Sequence, residues 1–133
     1  MSSPGSKMER RIESDNIDHV YVEFADMNGI SRSKQIAADY FLEQWKSGFP
    51  MNMLVLVQTA RNQVPNNSGY GADIDYADGK VVPDPQTYKK LPWRDDAAKV
   101  HCHFRYEEEP VAGVPRTVLK DVVSSINSRF PGL

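Results

Sequence analysis

Asp73, Asp75 and Asp78 lie close together in a stretch rich in Asn and Gly. Carboxylates at such spacing could hold a hard cation, but the glycine and terminal glutamate of a calcium loop are not at the required places. Gly69-Tyr70-Gly71 is too short for a phosphate-cradling loop of the G-x-x-x-x-G-K-[ST] kind and fits a flexible loop better. His101 and His103 are two apart, so on a strand they share a face and could bind a metal. No third ligand is evident nearby, and a zinc site takes three or four. Glu107-Glu108-Glu109 reads as a solvated acidic turn. Cys102 is the single cysteine. It cannot form an internal disulfide, and within its apolar stretch it reads as a small buried hydrophobe. Phosphoryl transfer from ATP needs carboxylate-held metal and cations on the phosphates, and this chain shows no such set.

The elements that must position these residues follow from periodicity. Met8 to Asn16 is charged and predicts a short helix. Val20, Val22 and Phe24 alternate with Tyr21 and Glu23, the pattern of a half-buried strand. Asp26-Met27-Asn28-Gly29 is a tight reversal, because Asn and Gly tolerate positive φ. Val20 to Ile36 therefore reads as a β-hairpin. Ala37 to Lys46 is helical, with Tyr40, Phe41 and Trp45 on one side. Met51 to Val57 is short and apolar, a candidate buried strand. Thr59 to Asp78 has little periodicity, and a loop this long in a compact domain is functional or disordered. Strands follow at Lys80–Val82 and Lys99–Tyr106, the latter with Val100, Cys102 and Phe104 on one face. Pro115 to Phe130 reads as the last helix, with an apolar stripe of Val118, Leu119, Val122, Ile126 and Phe130. The sum is an α+β arrangement: a mixed sheet of about four to six strands packed with two principal helices.

The 133 residues suit one domain with one core. The formal net charge of -2 gives no overall basic field for nucleic acid or anionic lipid. Lys89-Lys90 and Arg94 flank Leu91-Pro92-Trp93, a weak footprint, so Trp93 reads as a packing residue rather than a base-stacking platform. No apolar run approaches the roughly 20 residues that span a bilayer. Met1 to Lys7 is polar, lacks an apolar signal-peptide core and reads as a tail. Together with the lone cysteine, these features fit a reducing cytoplasm.

Four segments resemble the glutamine synthetase family in its amino-terminal domain. Val22-Glu23-Phe24-Ala25-Asp26-Met27-Asn28-Gly29-Ile30-Ser31-Arg32-Ser33-Lys34 is similar to the family's opening hairpin, F-x-D-x-x-G-x-x-R-x-K. Val81-Val82-Pro83-Asp84-Pro85-Gln86-Thr87 is similar to its PDPST turn. Leu91-Pro92-Trp93, with Ala98-Lys99-Val100-His101-Cys102, resembles LPW…A-x-V-x-C-D, although the family's aspartate is His103 here. Val114-Pro115-Arg116-Thr117-Val118-Leu119 resembles DPR-x-x-L. Each motif alone is weak. Their common order, from about Val20 to Phe130, is far more specific.

The resemblance implies a β-grasp domain at 17–133, after a flexible tail or short helix at 1–16, with the carboxy-terminal catalytic domain absent. It implies the amino-terminal part of an ATP-dependent glutamate–ammonia or glutamate–amine ligase, inactive alone. Its expected partners are the catalytic domains of its own and neighbouring subunits in a homo-oligomeric ring, with neither nucleic acid nor membrane. ATP and Mg or Mn are implied for the parent, and no cofactor for this fragment. In the family, this domain lines a neighbour's active site, so the implied segments in trans are Pro50, Met51, Asn52 and Met53 together with Ser68, Asp73, Asp75 and Asp78. They are expected to be solvent-exposed, and the loop mobile. The main departure is at Gly48-Phe49-Pro50-Met51-Asn52-Met53, where ammonia-using relatives read F-D-G-S-S. Their aspartate, which binds ammonium and takes its proton, falls on Pro50, which can do neither. Three readings follow: a different amine, a non-catalytic lengsin-like structural member, or a shifted alignment in which Asp73 or Asp75 replaces the carboxylate.

Overall fold

The computed structural model describes residues 2–132. In chain order the elements are α1 (Pro4–Ser14), β1 (His19–Ala25), β2 (Ser31–Ala37), α2 (Ala38–Gln44), β3 (Phe49–Asn52), β4 (Asp78–Pro83), β5 (Lys89–Lys90), β6 (Ala97–Tyr106), β7 (Glu109–Pro110) and α3 (Pro115–Arg129). Short 3₁₀ turns lie at Met53–Leu56, Ala72–Ile74 and Pro85–Thr87. The strands form one mixed sheet in the order β2-β1-β6-β4-β3, with β5 and β7 added along β6. β1 and β6 run parallel, with Val22 opposite Val100, and the other pairs are antiparallel. This is the expected α+β, β-grasp arrangement, with α1 as a third helix.

The two-residue period decides the core. Val20, Val22 and Phe24 of β1 and Val100, Cys102 and Phe104 of β6 point to one face, where all are buried. Met8 and Ile12 of α1, Phe41 of α2, Phe49 and Leu56 close over them. Phe24 meets Phe104 edge-on at 5.3 Å, and Phe41 stacks on Phe49 at 5.6 Å, geometries that aromatic pairs prefer. Cys102 belongs to this core, and burial pushes its thiol pKa well up, so it is inert packing. The opposite face, with Tyr21, Glu23, Lys99, His101, His103 and Arg105, is polar. The start of α3 lies against its β6 part, with Thr117 buried beside His103 and Arg105.

Several expectations are corrected. Pro4 to Lys7 is not a tail but the first turns of α1. Ser3 accepts the N–H of Ser6 at 3.2 Å, with Pro4 in the first turn. A tertiary bond holds the helix: Trp45 Nε1 donates to Glu9 at 3.0 Å. The strand expected at Met51–Val57 ends at Asn52, whose side-chain oxygen accepts the N–H of Leu54 at 3.1 Å and starts a 3₁₀ turn. Tyr40 does not share the buried side of α2 with Phe41 and Trp45 but is exposed. Trp93 is no packing residue: at 76% exposure it stands out from the turn before β6. The apolar stripe of α3 is real but uncovered. Val118, Leu119, Val122, Val123, Ile126 and Phe130 are each 44–62% exposed.

Candidate functional site

The candidate site is the edge strand β3 with the loop that leads to β4. Pro50 sits in β3, exposed, opposite Lys80. Proline has no N–H, and such a residue is tolerated on an edge strand. Although β2 and β3 close opposite ends of the strand order, sheet curl brings them together, and Lys34 Nζ reaches the carbonyl of Pro50 at 3.4 Å. Asn52 has two tasks. Its Oδ1 caps the 3₁₀ turn, and its Nδ2 donates to the carbonyl of Tyr76 at 2.5 Å. Across the ladder Asn52 faces Asp78. Met51 is half-buried. Met53 is not an exposed site residue. The 3₁₀ turn rotates it inward to 2% exposure, against Gly79.

The loop is tied at both ends. At its start, Met27 N donates to Leu56 O at 2.9 Å and Asn28 Nδ2 to Gln58 O at 3.0 Å, joining it to the β1–β2 turn. At its end, the Asn52–Tyr76 bond and Met53 N to Ala77 O at 3.1 Å join it to β3. Between these ties Asp73 organises the chain by accepting from the N–H groups of Gly69 and Gly71. Partial desolvation raises its pKa, but those two donors together with its own backbone N–H outweigh it, and the carboxyl ends below its ordinary value. Ser68 Oγ accepts from Tyr70 N at 3.3 Å. Asp75 and Tyr76 both take left-handed backbone conformations, at φ 52° and 53°, and both are exposed. Asp75 and Asp78 are exposed near the β3 end and bond no side chain or backbone group through their carboxylates among the described residues, whereas Asp73 and Ser68 serve the loop itself.

The turn beneath this loop holds a residue whose weight sequence reading missed. Asp26 is completely buried. Its Oδ1 accepts from Asn28 N and Ile30 N, each at 2.9 Å, and its Oδ2 from Arg32 Nε at 2.9 Å. Three donors thus satisfy a carboxylate that would otherwise be costly to bury. Gly29, at φ +78°, supplies the positive angle that the turn requires.

His101 and His103 share a face of β6 but engage different partners. His101 Nδ1 lies 3.8 Å from Glu23, and His103 Nε2 lies 3.7 Å from Asp84. Among the described residues no three His, Cys, Asp or Glu side chains are placed to hold a metal. No described helix is long and apolar enough to cross a membrane.

No family model matches the chain. Individual relatives do. A glutamate–isopropylamine ligase of a Pseudomonas species is 31% identical over 120 residues, covering 88% of this chain and 26% of the relative. Human lengsin is 28% identical over 131 residues, covering 96% and 25%. A glutamine synthetase of Thermotoga maritima is 28% identical over 117 residues, covering 85% and 24%. The chain belongs to the glutamine synthetase family, as its amino-terminal domain. It spans about a quarter of the length of the relatives it matches. A solved structure described as a GmaS–ADP complex shares the fold, with a TM-score of 0.73 at 20% identity over 97% of this chain and 26% of that one.

The structure gives the glutamine synthetase motifs a physical meaning. Asp26, Gly29 and Arg32 of the opening motif are the parts of one buried turn. Lys34 of the same motif reaches the β3 edge. Asp84 of the PDP turn binds Arg116 of the fourth motif, with Nη2 to Oδ2 at 2.6 Å, so two segments far apart in sequence meet in one ion pair. Lys34, Asp26 and Asp84 could have been found from the motifs that contain them. Tyr76 carried no sequence signal, because nothing local announces a left-handed aromatic.

Proposed function

We propose that this chain is the domain with which a glutamine-synthetase-like, ATP-dependent glutamate–amine ligase closes the active site of a neighbouring subunit. The observation that carries this reading is similarity along nearly the whole chain to a quarter of a glutamate–isopropylamine ligase. Two features support it. The β3 edge and the 59–78 loop are displayed on one side, tied at both ends yet exposed between, as a surface offered to another active site would be. The uncovered apolar face of α3 suits the remaining polypeptide, since an apolar patch of this size marks an interaction surface. ATP and a divalent metal would be held by that remainder, whose carboxylates this chain lacks.

On this reading Pro50 sets the nucleophile. Where a carboxylate would attract ammonium, this edge presents a proline flanked by half-buried Met51, with the Lys34 ammonium at its carbonyl. Such a wall favours an amine with an apolar substituent over ammonia, whose only handle is charge.

A second reading keeps the same surfaces without turnover, as the oligomerising module of a non-catalytic, lengsin-like protein. The coverage of human lengsin, at 96% of this chain, favours it as much as the ligases favour the first. The experiment is γ-glutamyl hydroxamate formation from glutamate, ATP, hydroxylamine and magnesium by the longer polypeptide. Turnover supports the ligase, and an amine panel then names the nucleophile. No turnover by a folded oligomer, beside an active control enzyme, supports the structural module.

A further inference from the structure

The polar face of the sheet carries a cationic cleft where α3 begins, at the other end of β4 from Asp78. Two cavities of about 350 and 560 Å³ share His103 and Lys120 as a common wall. Arg105, Thr117 and Asp121 line the first, and Asp84 and Arg116 the second. Three permanent cations therefore face two carboxylates. Asp84 is fully engaged: its Oδ2 accepts from Arg116, and its Oδ1 accepts from the N–H of Gln86 at 3.1 Å. Among the described residues the Arg105 side chain donates only to the carbonyl of Glu108. Lys120 is exposed and makes no ion pair among the described residues.

Two donors beside this cleft stand out. The Nε–H groups of Arg105 and Arg116 are both buried, and neither meets an acceptor among the described residues. Buried donors are nearly always paired, and a charged donor left alone is the costliest kind. The first turn of α3 adds to the field. It holds no acidic residue and no side-chain cap, so the positive end of a 15-residue helix is uncompensated there. His103 reports the same field. Burial lowers its pKa first, and the charges of Arg116 and Lys120 lower it further. Asp84 pulls the other way from 3.7 Å, but that oxygen is already committed to Arg116.

We infer that this cleft is an oxyanion site, in which a sulfate-, phosphate- or carboxylate-bearing group bridges Lys120, His103 and the guanidinium groups of Arg105 and Arg116. Planar guanidinium groups and a flexible ammonium are the donors that such oxygens select. The cavities are wide enough for a tetrahedral anion. The site uses neither the β3 edge nor the 59–78 loop, and shares with the ligase reading only Leu119 and Val123 of α3, which border the second cavity.

Sulfate is the probe, since its charge does not change near neutral pH. ¹⁵N-labelled chain is titrated with sodium sulfate at constant ionic strength against chloride, and the signals of His103, Arg105 Nε and Arg116 Nε are followed. The expected result is saturable shifts at all three, with the His103 pKa raised by bound anion. By linkage, sulfate then binds more tightly as pH falls through the His103 titration. Lys120→Gln lies at the surface and leaves the fold intact. It should weaken binding about five- to tenfold. Shifts that stay linear and match chloride, or a Lys120→Gln protein that binds sulfate as well as the parent, overturn the site. The same titration on the longer polypeptide decides the source. A lost response there assigns the oxyanion to a carboxylate of that polypeptide, and a kept response assigns it to a free anion.

Discussion

Replacing Asp26 by alanine should unfold more of this domain than any exposed substitution in the site. The residue is fully enclosed, and its two oxygens take three donors. Removal leaves the N–H groups of Asn28 and Ile30 without acceptors, at about 1 kcal/mol each, and breaks a half-screened ion pair worth about 1 kcal/mol more. The Arg32 side chain is 28% exposed, so water takes up part of its loss. A total near 3 kcal/mol corresponds to a fall in Tm of about 10 °C for a domain of this size. Asp26→Asn keeps the carbonyl for the two backbone donors but turns an N–H toward Arg32, and should cost about half as much. Urea unfolding followed by tryptophan fluorescence measures both, with an unchanged m-value expected. The Met27 amide, whose bond to Leu56 ties this turn to the loop, should lose hydrogen-exchange protection in parallel. A cost below about 1 kcal/mol for Asp26→Ala, or equal costs for the two variants, would refute the assignment of separate tasks to the two oxygens.

Four further outcomes are expected. Gly79→Ala should cost about 2–3 kcal/mol in the same assay, because a Cβ there would lie 2.6 Å from the carbonyl of Arg105, which cannot move aside; a cost under about 0.5 kcal/mol would contradict this packing. The lowered pKa of His103 means that the unfolded chain binds its proton more readily, so its contribution to stability is complete above about pH 6.5 and is lost as pH falls below that. His103→Gln should flatten that acid limb in urea melts run from pH 7 to 5, the groups facing it being Asp84, Arg105, Arg116, Lys120 and Asp121. Leu119→Glu with Val123→Glu should shift the stability of this chain by no more than about 0.5 kcal/mol, yet lower the Tm of the longer polypeptide by several degrees; an unchanged Tm there would show that α3 faces solvent. Amides between residues 60 and 69 should exchange much faster than those of β6, and protection equal to that of β6 would show the loop to be rigid.

The strands were legible because alternation reports a buried face directly. Val20, Val22 and Phe24, and later Val100, Cys102 and Phe104, needed only the period of two. The start of α1 was hidden because Pro4 to Lys7 is polar by itself, and its order comes from packing and from Glu9 meeting Trp45 at long range. The end of β3 was hidden because the capping side chain of Asn52 decides it, not hydrophobicity. That also reversed the expectation for Met53, which lies inside the core. The stripe on α3 shows the limit of periodicity: it locates an apolar face without saying what covers it. In the site, motif order pointed to the β3 edge, but the paired tasks of Asn52, the reach of Lys34 and the backbone of Tyr76 depend on contacts that no local pattern encodes.

The central claim is that this domain completes an active site on another subunit, and subunit complementation tests it most directly. One version of the longer polypeptide carries Pro50→Arg with Asn52→Leu in this domain, and a second carries a lesion in the remainder proposed to hold ATP and metal. Each alone should fail to form γ-glutamyl hydroxamate. Coexpressed in equal amounts, they should recover about one quarter of the wild-type rate, the share of interfaces at which an intact domain meets an intact remainder. Mixed oligomers with no recovered activity, beside an active wild type, would contradict the claim and place the whole site within one chain.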